Sequence, residues 1–297
     1  MPSRRQIREA AIQFLYCADL EGGAPAAEYR DTFWNLLTEP DRRRLLTSTI
    51  RALDHITQGR QDRLLELSER APHALARLGA ATATQDLKKE LQDILRYESL
   101  WTMQWEKIRK LPLNDSDNDH VVGQIESALT QLYGIDRDLS HARKRFQQGL
   151  EDHPATRPLM EPVTASLRRL QRISDRVQML EHPQHFPEQS DLKHLCASQN
   201  DLLALRQEAD QMVDAVLQHK TAVDEKLAAI IENFAPERLD PVDRAILRLS
   251  ACELITRPTL SASIIINEAI DLAKKFGSND SGRFVNGILD QLAKERA

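Results

Sequence analysis

LDPVDRAILRLSACELITRP at 239–258, SIIINEAIDLAKKFG at 263–277 and SNDSGRFVNGILD at 278–290 decide how this chain is read. Each reads as a short amphipathic helix with its own start and stop. In the first, Asp240 is placed to cap, Pro241 suits the first helical position, and Asp243 puts negative charge in the first turn. Val242, Ala245, Ile246 and Leu249 follow at i, i+3, i+4 and i+7, which makes a core face and turns Asp243, Arg244 and Arg248 elsewhere. In the second, Ile264-Ile265-Ile266 alone suggests a strand. The continuation from Glu268 to Lys275 is helical and Gly277 is a natural terminator, so a helix is expected. In the third, Val285, Ile288, Leu289 and Leu292 complete an apolar stripe that begins just after Asn279-Asp280-Ser281.

Phe284 lies at the edge of that last stripe at about 100° per residue. Asp280, four residues earlier, and Gly287, three later, share its face, and Arg283 is adjacent. An aromatic ring beside a cation and a bare glycine can stack a nucleobase. It can equally pack under a neighbouring helix, the commoner fate of a helical phenylalanine, and the residues alone leave both open. The N-terminal helix expected over Arg4 to Leu20 poses the same alternative. Ile7, Ala11, Phe14 and Ala18 take one side. Arg5, Glu9, Ile12 and Tyr16 fall in another narrow sector with Arg8 beside it, a face that suits phosphate and base or is simply solvated.

Between these ends the chain reads as further helices. A glycine-type stop is expected at Glu21-Gly22-Gly23, then a helix from Ala26 to Leu37 that Pro40 breaks. Helices follow over Asp41 to Arg70, ending before Pro72, and over Thr84 to Lys110. A polar loop is expected at Asn114-Asp115-Ser116-Asp117-Asn118. Further helices run from Val121 to Gly149, from Val163 to Leu180 after three prolines, and from Asp201 on to Phe234. No convincing repeat is present. Sparse glycine and few aromatics, with abundant Leu, Ala, Arg, Glu and Gln, favour an all-α fold, and 297 residues favour two domains or one with a large insertion.

Composition narrows the function. The net charge of −5 argues against a protein that coats nucleic acid non-specifically, though not against a local RNA site. No apolar run approaches the roughly 20 residues of a membrane span, and no apolar signal core follows the N-terminal arginines, so no membrane association and no secretion are expected. Cys17, Cys196 and Cys252 are far apart, without zinc spacing, and read as small apolar residues of a reducing cytoplasm. No Gly-rich phosphate loop, dinucleotide fingerprint or acid/base cluster appears, so neither catalysis, nor a cofactor, nor a metal is expected.

Four segments together resemble the NusB family of bacterial transcription antitermination factors: RRQIREAAIQFLY at 4–16, VDRAILRLSACEL at 242–254, INEAIDLAKKFG at 266–277 and DSGRFVNGILD at 280–290. The last two are the specific ones. The resemblance covers about residues 1–38 and 200–297 and implies two perpendicular three-helix bundles, divided here into a discontinuous 1–40 plus 200–297 RNA-binding domain by a helical insertion at 41–199. It further implies a non-catalytic factor that binds boxA-like single-stranded RNA with a small-subunit ribosomal protein (NusE) and joins elongating RNA polymerase with NusA and NusG, notably in ribosomal RNA transcription. By position the RNA surface would comprise Arg4, Arg5, Arg8, Tyr16, Asp280, Arg283 and Phe284, and the ribosomal-protein surface Glu237, Asp243 and Arg244. Against the family pattern, Gln6 interrupts the basic run and Cys252 stands where an aromatic is frequent. The insertion can also fall within the third helix, since Asp41 to Arg70 is an acceptable match, but Leu205 to Pro236 runs without interruption into DPVDRAIL and favours the later position. The 41–199 stretch, as an extra bundle or hairpin, is expected to mediate self-association or another protein contact. Two other functions fit less well. One is an interaction module whose RNA surface has decayed. The other is the accessory domain of a ribosomal RNA cytosine methyltransferase, for which no following α/β domain is expected here.

Overall fold

A computed structural model describes residues 1–20, 26–112, 120–231 and 238–296. Among these residues the chain is all-α, with no strand. The expected stop at Glu21-Gly22-Gly23, the loop at 114–118, and Phe234 and Glu237 lie outside the described residues. Eleven α-helices are described: α1 (Arg4–Leu20), α2 (Ala26–Ile56), α3 (Arg60–Gly79), α4 (Gln85–Arg109), α5 (Val121–Glu151), α6 (Arg157–Glu181), α7 (Lys193–Gln218), α8 (Lys220–Ile230), α9 (Pro241–Thr256), α10 (Ala262–Phe276) and α11 (Ser281–Arg296). Short 3-10 turns occupy Thr82–Thr84 and Pro183–His185. Contacts divide the chain into two compact units, 1–39 with 199–297, and 40–198.

Three proline readings are corrected, one of them at Pro162, which lies inside α6 rather than before it. Pro40 does not break the chain: α2 runs through it to Ile56. Pro72 likewise lies inside α3. An interior proline forfeits one helical hydrogen bond and costs about 3 kcal/mol, a local penalty that burial on both sides offsets. Trp34 and Leu53, flanking Pro40, are both fully buried, as are Leu67 and Leu78 around Pro72. The break falls instead at Gly59, whose φ of +72° is the left-handed conformation that ends a helix and favours glycine.

In the discontinuous unit α9 is the central element. It packs against α1, α8, α10 and α11, and is buried along almost its whole length from Asp243 to Leu254. Asp240 caps it as expected, its carboxylate accepting from the amides of Val242 at 2.8 Å and Asp243 at 3.4 Å. The expectation that Arg248 faces away from the core is overturned, because α9 has neighbours on every side. Arg248 is buried and donates to Asp224 at 2.8 Å and to Asp19 at 3.0 Å. The start of α2 closes over α1 through rings: Phe14 lies 5.4 Å from Tyr29, 5.1 Å from Phe33 and 5.8 Å from Trp34. Trp34 Nε1 donates to Asp210 of α7 at 2.8 Å.

The 40–198 unit contains a closed ring of helix pairs. α3 packs on α4, α4 on α5, α5 on α6, and α6 returns to α3. Its apolar core encloses a buried polar cluster. Glu98 accepts from Arg60 at 2.6 Å and also from Arg143, and Ser174 donates to Asp136 at 2.8 Å. The Arg60 guanidinium sits 3.8 Å over the Trp101 ring.

Candidate nucleic-acid interface

The apolar stripe of α11 is buried as its spacing requires: Val285 and Leu289 are fully enclosed, with Ile288 and Leu292 nearly so. That packing fixes which side of α11 remains outside, and Asp280, Arg283, Phe284 and Gly287 are all on it. Phe284 is 37% exposed. The carbonyl of Asp280 accepts from the amides of Arg283 at 3.1 Å and Phe284 at 3.0 Å, which holds the first turn together. A Cβ on Gly287 would meet nothing within 4 Å, so the glycine leaves open surface beside the ring.

The corner before α11 is tight. A Cβ on Gly277 would lie 2.5 Å from Ser281 Oγ and 2.9 Å from the Ala273 carbonyl, so glycine is required there by close approach. The Ser281 hydroxyl accepts from the Ser278 amide at 2.9 Å. α10 and α11 approach closely over Gly282, where an added Cβ would touch Lys274 Cγ at 3.2 Å.

α1 reaches this face through α10. Arg5 pairs with Asp271 at 3.1 Å, and Lys275 with Glu9 at 2.8 Å. Arg4 is exposed, while Tyr16 is half-buried against the core. The exposed cations are therefore in different states. Arg5 and Lys275 each have a carboxylate, whereas Arg4, Lys274 and Arg283 have none among the described residues. The Lys274-Lys275 pair was missed in reading the sequence as part of this surface, although two adjacent lysines in the last turn of an amphipathic helix mark a basic face.

Three expected site residues are placed inside the fold. Arg8 is 4% exposed and clasps Glu253 of α9 through Nε at 2.8 Å and Nη2 at 3.1 Å. Its position beside the α1 polar sector suggested a phosphate contact, but α9 covers that side of α1. Asp243 is 7% exposed, and burial pushes its carboxyl above the ordinary range, opposed by the hydroxyl of Ser281 and aided by the nearby charge of Asp240. Arg244 is half-buried and donates to Asp19 of α1 at 2.7 Å. The first two are corrected as surface candidates, and the ion pair of Arg244 works within the fold.

The sequence comparisons match the C-terminal part of the chain. Residues 164–294 match the NusB family. The protein named transcription antitermination protein NusB from Sorangium cellulosum is 45% identical over 86 residues, 29% of this chain and 61% of the relative. Its namesake from Anaeromyxobacter dehalogenans is 47% identical over 85 residues, covering 29% and 59%. That from Methylacidiphilum infernorum is 37% identical over 90 residues, covering 30% and 63%. The chain thus spans about three fifths of the length of the curated relatives it matches.

Proposed function

We propose that the unit formed by 1–39 and 199–297 is a non-catalytic adaptor of transcription antitermination that binds a boxA-like single-stranded RNA on the α10–α11 face. The observation that carries this reading is the exposed ring of Phe284 beside Arg283, which has no carboxylate partner among the described residues, on a tight corner with open surface at Gly287. A ring of this kind stacks any base, and neighbouring cations hold the phosphates on either side of it. Arg4, Lys274 and Arg283 are the cations free to do so. Asp280 sits at the margin of the same face, and Tyr16 is half-buried on α1. Arg8 serves the site indirectly, by fixing α1 on α9.

The relatives' name, transcription antitermination protein, supports the antitermination context. In this reading NusE docks on the same unit, near residue 237 and the start of α9, and the assembly joins NusA, NusG and elongating RNA polymerase in the cytoplasm. The 41–199 insertion serves self-association or a further protein contact. Light scattering on the eluting intact chain tests self-association, and a monomer mass rules it out.

Phe284→Ala tests the RNA site. Affinity for a boxA-like RNA, with and without NusE, is expected to fall by about tenfold, since a stacked base contributes roughly 1–3 kcal/mol. Unchanged affinity with unchanged helicity removes the site from this face. A second reading, a protein-interaction module with a decayed RNA surface, is favoured by the carboxylate partners of Arg5, Arg8 and Lys275. It predicts RNA binding that is weak and no stronger at low salt, whereas phosphate contacts lose affinity as salt rises.

A further inference from the structure

We propose that Arg63, Arg169, Arg172 and Arg176, with His55, form a phosphate-binding cavity in the 40–198 unit that takes the backbone of the RNA strand. The cavity, of about 290 Å³, lies where the end of α2 and the start of α3 meet the outer face of α6. Five of its eight lining residues are Arg or His, and none is a carboxylate. Arg169 and Arg176 are positioned from behind, by Glu66 at 3.0 Å and by Asp191 with Gln189. Arg63 and Arg172 have no acidic partner among the described residues. Two braced guanidiniums and two unneutralised ones around one small space repel each other unless an anion occupies it, and planar guanidinium forks match phosphate oxygens in pairs.

The chemistry of the lining selects the ligand. His55 is the one ring in the lining, and Ile56 and Ile173 are the only apolar side chains, so four guanidiniums dominate it. The cavity therefore recognises phosphate first. The larger groove between α5 and α6, about 780 Å³, differs: there Arg137 pairs with Glu181 and Arg168 with Glu161, so its lining is mixed in sign. The choice of RNA over other phosphate carriers rests on the reading given under Proposed function.

The test uses the full chain, a labelled boxA-like single-stranded RNA, a scrambled RNA and inorganic pyrophosphate. Binding is followed by anisotropy across a salt series for the parent, for Arg63→Gln/Arg172→Gln, for Arg63→Lys/Arg172→Lys as a charge-preserving control of folding, and for Phe284→Ala. Losing two phosphate contacts is expected to reduce the slope of log K against log salt by about 1.4 in the glutamine variant, equally for both RNAs, because each contact on a single strand contributes about 0.7. The lysine variant keeps most of the slope, and pyrophosphate competes with RNA for the parent, the lysine variant and Phe284→Ala but not for the glutamine variant. An unchanged slope in the glutamine variant overturns the proposal. So does loss of pyrophosphate binding without any change toward RNA, which assigns the cavity to small phosphates. If Phe284→Ala binds normally while the glutamine variant loses slope, the α11 reading fails and this cavity stands.

Discussion

The two units bury charge in different ways. In the discontinuous unit the buried ions link one helix to another near the ends of their contact. Arg8 meets Glu253 toward one end of the α1–α9 contact, and Asp19 meets Arg244 and Arg248 toward the other. In the 40–198 unit the ions converge instead. Arg60 of α3 and Arg143 of α5 both pair with Glu98 of α4, and Ser174 of α6 joins Arg143 to Asp136 of α5. The first arrangement fixes where a helix remote in sequence docks. The second fixes which faces of four neighbouring helices turn inward, because any other rotation strands a charge without a partner. Neither need add net stability over an apolar substitute, but removing one member of either is costly.

The largest expected effect separates the units. Glu98→Ala leaves two buried guanidiniums unpaired and is expected to lower the stability of the 40–198 unit by about 3–5 kcal/mol. Tryptophan fluorescence in urea reads this, since Trp101 and Trp105 belong to that unit and Trp34 to the other. A joint shift of all three signals would mean that the units unfold as one. Arg8→Ala is expected to destabilise the discontinuous unit by about 2–3 kcal/mol, somewhat less, because Arg257 stands 3.5 Å from the orphaned Glu253. The paired exchange Arg8→Met with Glu253→Met should recover most of that loss and keep RNA binding. Lost binding in a stably folded double variant would return Arg8 to the interface.

A smaller effect depends on pH. Burial pushes the Asp136 carboxyl up to about 6, against the lowering influence of Ser174, Arg143 and Arg60. The fold therefore prefers the protonated form. Its contribution is full below about pH 4, the usual carboxylate value, and is lost as pH rises through about 6. Asp136→Asn keeps an acceptor for Ser174 and is expected to stabilise the 40–198 unit by roughly 1–2 kcal/mol at pH 8 and by almost nothing at pH 4. Equal gains at both pH values would refute the titration. Smallest is Phe284→Ala, expected to change the stability of its own unit by less than about 1 kcal/mol, since a half-exposed ring contributes little burial.

Much of the local structure was legible. The helical class, the Asp240 cap, the helix at 262–276 in spite of its isoleucine run, and the α11 stripe all follow from periodicity and capping chemistry, which act within a few residues. The readings that failed depended on partners far along the chain. Arg8 and Arg248 looked solvated because an amphipathic reading assigns charges to the outside. Their carboxylate partners are 245 residues away for Arg8, and 24 and 229 away for Arg248. Pro40 looked like a break because its local penalty is visible in sequence and the burial of Trp34 and Leu53 is not. Phe284 was not settled by the residues, which left an outward ring and a packed one both open, and it stands 37% exposed; the Lys274-Lys275 pair gained its place only when α10 was seen to carry α1 beside it.

The separation of α1 from α9 also has a consequence in time. Asp19 and Arg244 meet across 225 residues. At a synthesis rate of about 5–20 residues per second, α1 waits on the order of 10–45 s before its docking helix has been made. Throughout that interval the apolar side of α1, with Phe14 and Leu15, has no α9 to cover it. The contiguous 40–198 segment emerges earlier and can complete its own core meanwhile. Once folded it replaces a long floppy tether with a compact body, and the nascent N-terminal helix becomes the last piece to find its seat.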